Sequence, residues 1–88
     1  MEVTQMSANL YEIEIRIRDR VGVVNEVAAA MQRAGIPIVS HQARVIRDRS
    51  GAEISVFRGR VQADETGLRD LQRRLTRIRG FRKFTKVG

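Results

Sequence analysis

Residues 10–27, LYEIEIRIRDRVGVVNEV, change their hydrophobic period part-way along, and that change decides the fold. From Leu10 to Arg18, Tyr11, Ile13, Ile15 and Ile17 alternate with Glu12, Glu14, Arg16 and Arg18. A period of two describes a strand with one wet face and one buried face. The turn Asp19-Arg20-Val21-Gly22 follows, where Asp19 is suited to cap a helix and Gly22 permits close backbone approach. Beyond it the period lengthens. Val24, Val27, Ala28, Met31 and Ala34 recur at spacings of three and four, so a helix is expected over about Gly22 to Ala34, stopped by Gly35.

Pro37 excludes helix for the residue before it, and Ile38 to Arg47 reads as a second strand, ending in the turn Asp48-Arg49-Ser50-Gly51. A third strand, Ala52 to Val61, is expected with Ile54 and Val56 inward. That phase would also turn Arg58 and Arg60 inward, so a bulge at Gly59 is expected to restore an inward Val61. Leu68, Leu71, Leu75 and Ile78 predict a second helix over Thr66 to Arg79, with Asp70 and Arg74 spaced to pair. Gly80 ends it, and Phe81 to Val87, containing Phe84, makes a short last strand. Residues 1–9 read as a flexible segment. The predicted fold class is α+β: a ferredoxin-like βαββαβ sandwich, with a four-stranded antiparallel sheet carrying two helices on one face. The expected strand order is 4-1-3-2, which leaves the second strand at an edge, able to pair with a second copy.

Eighty-eight residues suit one domain and are too few for two. With no cysteine, disulfides and thiolate chemistry are excluded. Neither a signal peptide nor an apolar run of membrane-spanning length is present, so a cytoplasmic domain without a membrane partner is expected. The formal net charge is +7, mainly from arginine, which raises the question of a polyanion. Catalysis finds no footing: there is one histidine, His41, and the carboxylates are scattered. His41 reads as a packed or edge residue of the second strand; no metal site and no cofactor are expected. An RNA-recognition module shares the βαββαβ order but stacks bases on aromatic side chains of its central strands, which this chain largely lacks.

One position joins chemistry to geometry: the turn before the first helix, whose unpaired N–H groups and positive dipole end suit a carboxylate. Around it, DRVGVVNEV at 19–27, then AGIPIV at 34–39, then L-x-x-L-x-x-x-L-x-x-I-x-G-F at 68–81, resemble the ACT family of regulatory domains in the right order. The resemblance covers about Leu10 to Val87, making 10–88 the ACT domain. IRDRVGVV at 17–24 and LQRRLTRIRGF at 71–81 are most similar to the C-terminal ACT domain of long RelA/SpoT-type (p)ppGpp synthetase/hydrolases. That resemblance implies a regulatory, catalytically inert fragment of a GTP pyrophosphokinase serving stringent response control. It implies a homodimer through strand two, an amino-acid effector, and the parent's catalytic domains as partners. The implied ligand residues are Asp19, Val21, Gly22 and Val23 in the turn, Asn25 one helical turn on, and Ile36, Pro37, Ile38 and Val39 opposite. Many amino-acid-binding members carry asparagine where Pro37 stands, and proline offers no side-chain hydrogen bond. Two alternatives stand beside this reading. One is a ribosome- or RNA-contacting assembly module using Arg69, Arg73, Arg77, Arg82 and Lys83; the other is a free-standing amino-acid sensor.

Overall fold

A computed structural model describes residues 9–87. The elements run β1 (Asn9–Arg18), α1 (Val23–Arg33), β2 (Ile38–Arg47), β3 (Glu53–Ala63), α2 (Glu65–Thr76) and β4 (Phe81–Lys86). The sheet order is β2-β3-β1-β4 with antiparallel neighbours throughout, the expected ferredoxin-like arrangement. Of the segment expected to be flexible, 1–8 lie outside the described residues, and Asn9 is the first residue of β1.

β1 is the centre of the core. Ile13, Ile15 and Ile17 are at most 2% exposed, and α1 lays Val23, Val27, Ala30 and Met31 against them while α2 adds Leu68, Leu71 and Leu75. α1 closes with two bonds: Gly35 donates its N–H to the Gln32 carbonyl, and Ile36, turned back by the left-handed Gly35 (φ 70°), donates to Met31. Ile36 and Met31 are both buried, so the cap also delivers Ile36 to the core. α2 is capped by Asp64, whose Oδ1 accepts from the Gly67 N–H at 2.7 Å.

Three expectations are corrected. β1 pairs with β3 without interruption through Ile13 and Gly59, so no bulge lies at Gly59. The irregularity is on the other partner, between Ile38 and Ser40 of β2. Nor do Ile54 and Val56 point to the helices: that face of β3 carries Ser55, Phe57, Gly59 and Val61, the cross-strand neighbours of Ile17, Ile15, Ile13 and Tyr11. Ile54 and Val56 share the helix-free face with Arg58 and Arg60, and are nonetheless buried. Long arginine stems can shield apolar neighbours in this way while their heads stay wet. Finally, α2 ends at Thr76, three residues before Arg79. The chain there tightens into shorter bonds, Arg77 N–H to Arg74 and Ile78 N–H to Leu75, so that the Gly80 carbonyl reaches the Arg18 N–H at 2.9 Å.

Candidate functional site

The turn between β1 and α1 is built without a side-chain cap. Gly22 occupies the N-cap position at φ 86°, and its own carbonyl accepts from the Glu26 N–H at 3.1 Å. Asp19, expected to cap the helix, instead takes the hydroxyl of Ser55 on Oδ1 at 2.7 Å, while its N–H donates to Glu53. The reason is burial. Ser55 is 4% exposed on the helix side of β3, and its hydroxyl must find an acceptor. Among the described residues, the N–H groups of Val24 and Asn25 donate to no carbonyl or side chain, which leaves the donor end of α1 open to a ligand oxygen. Val21 is almost wholly exposed at 99%, Asn25 is exposed, and Val23 is buried in the core.

Arg20, which sequence reading left without a role, holds this turn in place. Its guanidinium donates to both Glu26 carboxylate oxygens at 2.6 and 2.9 Å and also to the Arg79 carbonyl at 3.2 Å. The Arg20 hydrogen bond, helped by its charge, lowers the Glu26 pKa below the ordinary 4.5. The β1–α1 turn is thereby joined to the α2–β4 turn, and the fork geometry of D-R-x-G-x-x-x-E was the signal available in sequence.

The second expected group lies elsewhere. Ile36 is buried, Pro37, Ile38 and Val39 are exposed, and the Pro37 carbonyl accepts from Gln62. Ile38 pairs with Val61, whose partner on the far side is Tyr11 near the start of β1. Asp19 sits at the opposite end of the sheet, beyond Arg18, beside Glu53. The eleven residues of α1 separate the two groups, about 16 Å at 1.5 Å per residue. Within one chain Asp19, Val21 and Gly22 of the turn share no pocket with Pro37 and Val39, although Val24, just past the turn, lines a common groove with Ile38.

Between α1 and β2 the helix side of the sheet is left partly uncovered. A groove of about 130 Å³ runs there, with Val24 and Ala28 of α1 on one wall and Ile38 and His41 of β2 on the other. Gly59 is part of its lining, and a side chain there would come within 2.9 Å of the Ser40 carbonyl of β2. His41 is an exposed residue of this edge, opposite Gly59. Among the described residues no group of three histidine, aspartate or glutamate side chains is placed to hold a metal, and no helix is long and apolar enough to cross a membrane.

No protein-family model matches the chain, and no curated protein matches its sequence. Solved structures match its fold. A protein of unknown function from Galdieria sulphuraria is 19% identical with a TM-score of 0.73, over 100% of this chain and 54% of that one. The acetolactate synthase small subunit of Thermotoga maritima is 18% identical with a TM-score of 0.74, over 89% of this chain and 47% of that one. The chain thus spans about half the length of these two. The ACT domain of the GTP pyrophosphokinase of Chlorobium tepidum is 17% identical with a TM-score of 0.70, over 93% of this chain and 89% of that domain. In fold, the chain is similar to an ACT domain over nearly its whole length.

Proposed function

We propose that this chain is a regulatory domain that dimerises through β2 and senses a small carboxylate effector, an amino acid by the resemblance, at a site shared between two copies. The observation that carries the reading is the separation of the two candidate groups along α1. In an antiparallel β2–β2 pair, the Ile38 end of one strand lies beside the Arg47 end of the other. Arg47 neighbours Glu53, and Val45 neighbours Ser55, the two residues to which Asp19 is bonded. Such pairing brings the turn of one protomer, Asp19 and Val21 to Val23 with Asn25, towards Ile36 to Val39 of its partner. The effector's carboxylate would take the open N–H groups of Val24 and Asn25, and its apolar part the exposed Ile38 and Val39.

The two sheet edges support the choice of β2. β4 is six residues long and carries Arg82, Lys83 and Lys86, charges that discourage further pairing. β2 is ten residues long, and its apolar Ile38, Val39 and Val45 are 41%, 56% and 52% exposed. Val24 on the adjoining α1 is 56% exposed. The IRDRVGVV and LQRRLTRIRGF segments, and the likeness in fold to the Chlorobium domain, favour a RelA/SpoT-type (p)ppGpp synthetase/hydrolase as the parent protein. In that setting effector binding would bias the attached catalytic domains through its differential affinity for their states.

A titration of isotope-labelled protein with a panel of amino acids, reading backbone amide shifts and translational diffusion together, tests the reading. Saturable shifts at both Val21–Asn25 and Ile36–Val39 on a dimer-sized particle are expected. Shifts at neither group with every amino acid would overturn the sensing role, and monomer-sized diffusion at all concentrations would overturn the shared site.

A further inference from the structure

The helix-free face of the sheet is a second, chemically different surface. By register it carries Arg44 on β2, Arg58 and Arg60 on β3, Arg16 and Arg18 on β1 and Lys83 on β4, against two carboxylates, Glu12 and Glu14. The positive charge is concentrated around Glu14. Arg16 donates to it at 2.8 Å, and Arg58 approaches it at 3.5 Å and Glu12 at 3.9 Å. Glu14 thus stands between two guanidiniums, and Arg44, on the neighbouring strand, has no ion-pair partner among the described residues.

Arg44 and Arg58 flank a notch of about 180 Å³, floored by the buried Val56 and edged by Gln42, the cross-strand neighbour of Arg58. We propose that this notch binds a phosphoryl anion, gripped by the Arg44 and Arg58 guanidiniums with the Gln42 amide as a neutral donor. A single carboxylate offers two oxygens and one charge, enough for one guanidinium fork. A phosphoryl group carries three acceptor oxygens and up to two charges, which match two forks and an amide. Recognition ends at the phosphoryl group, because the chain's one tyrosine and three phenylalanines, Tyr11, Phe57, Phe81 and Phe84, all belong to the core on the other face. The face therefore offers no platform on which a base could stack.

The test is an amide-shift titration of the labelled protein at low salt with sodium pyrophosphate, with acetate as the carboxylate control and a short RNA duplex as a second source of the same group. Pyrophosphate is expected to give saturable shifts centred on Gln42–Arg44 and Val56–Arg58, and acetate none at equal ionic strength. Arg44→Gln and Arg58→Gln are each expected to weaken binding about tenfold, with Arg69→Gln as a charge-matched control that leaves it unchanged. If the duplex shifts the same residues more tightly than pyrophosphate, a nucleic-acid backbone supplies the phosphoryl group; if less tightly, a free phosphorylated ligand does. Either order upholds the notch. Absence of saturation, shifts spread equally over the α2 arginines, or an Arg44→Gln affinity equal to the parent's would overturn it. Gln42 and Arg44 lie on the β2 edge proposed as the dimer seam, so diffusion is recorded throughout. Lost phosphoryl binding by Arg58→Gln at unchanged particle size overturns nothing in the effector reading, and a monomeric particle that still binds pyrophosphate upholds the notch while the shared effector site fails.

Discussion

Replacing Val45 by lysine probes the β2 edge where the proposed dimer is most exposed to perturbation. Val45 faces the helix side of β2, opposite the buried Ser55, with 52% of its surface in water. Burying a whole valine is worth about 2 kcal/mol, so about 1 kcal/mol remains to be gained on association. A two-fold pair contains the residue twice, so its removal costs the dimer about 2 kcal/mol, about thirtyfold in dissociation constant. Lysine adds the desolvation of an ammonium group, which makes thirtyfold a floor. The isolated fold should hardly notice an exposed edge substitution, with a midpoint of thermal unfolding moved by less than about 4 °C. Concentration-dependent light scattering on Val45→Lys and the parent, with melting curves alongside, measures both effects. An unchanged dissociation constant with an intact fold would refute the assignment of β2 as the interface.

Two further outcomes concern the fold. Leu71 is fully buried between α2 and the sheet, and Leu71→Ala should cost about 3 kcal/mol in urea unfolding; a loss below about 1 kcal/mol would mean α2 is not docked as described. Stability should also fall in acid. The Arg16 hydrogen bond, then the Arg58 and Arg44 charges, hold the Glu14 pKa below its ordinary 4.5, and Glu26, Asp48 and Asp70 are lowered in the same direction by their own partners. A carboxylate depressed in the folded state stabilises above its unfolded pKa and loses that contribution as pH falls through its folded value. Unfolding free energy should therefore be level above about pH 5 and drop below about pH 4.5, a trend that melting curves from pH 7 to pH 3 would reveal. A profile that is flat to pH 3 would contradict these pairings.

The parts of the fold legible in the sequence are those with one buried face. β1 alternates because its helix side is dry and its other side wet, and β2 begins and ends where Pro37 and the Asp48–Gly51 turn put it. β3 misled for a physical reason. As a central strand it has Ile54, Ser55, Val56 and Phe57 all buried, so its alternation vanishes where phase had to be read. Choosing Ile54 and Val56 as inward then required a bulge that does not exist. The end of α2 was beyond reach because Ile78 continues the apolar stripe, and only the docking of Gly80 against Arg18 breaks the helix early. At the candidate site, Gly22 was legible as the open N-terminus of α1, while the Asp19–Ser55 bond needed the register of β3. The two groups of candidate residues were named from the sequence and the resemblance, and their separation appears only when α1 is laid down between them.

The central claim is that two copies meet along β2 and complete one another's site. A mixed sample of labelled and unlabelled chains, examined for proton contacts that cross from one chain to the other, tests it most directly. The account predicts contacts between the Ile38–Ser40 segment of one protomer and the Val45–Arg47 segment of its partner. Crossing contacts confined to α2 or β4, or none from a monomeric particle, would contradict it.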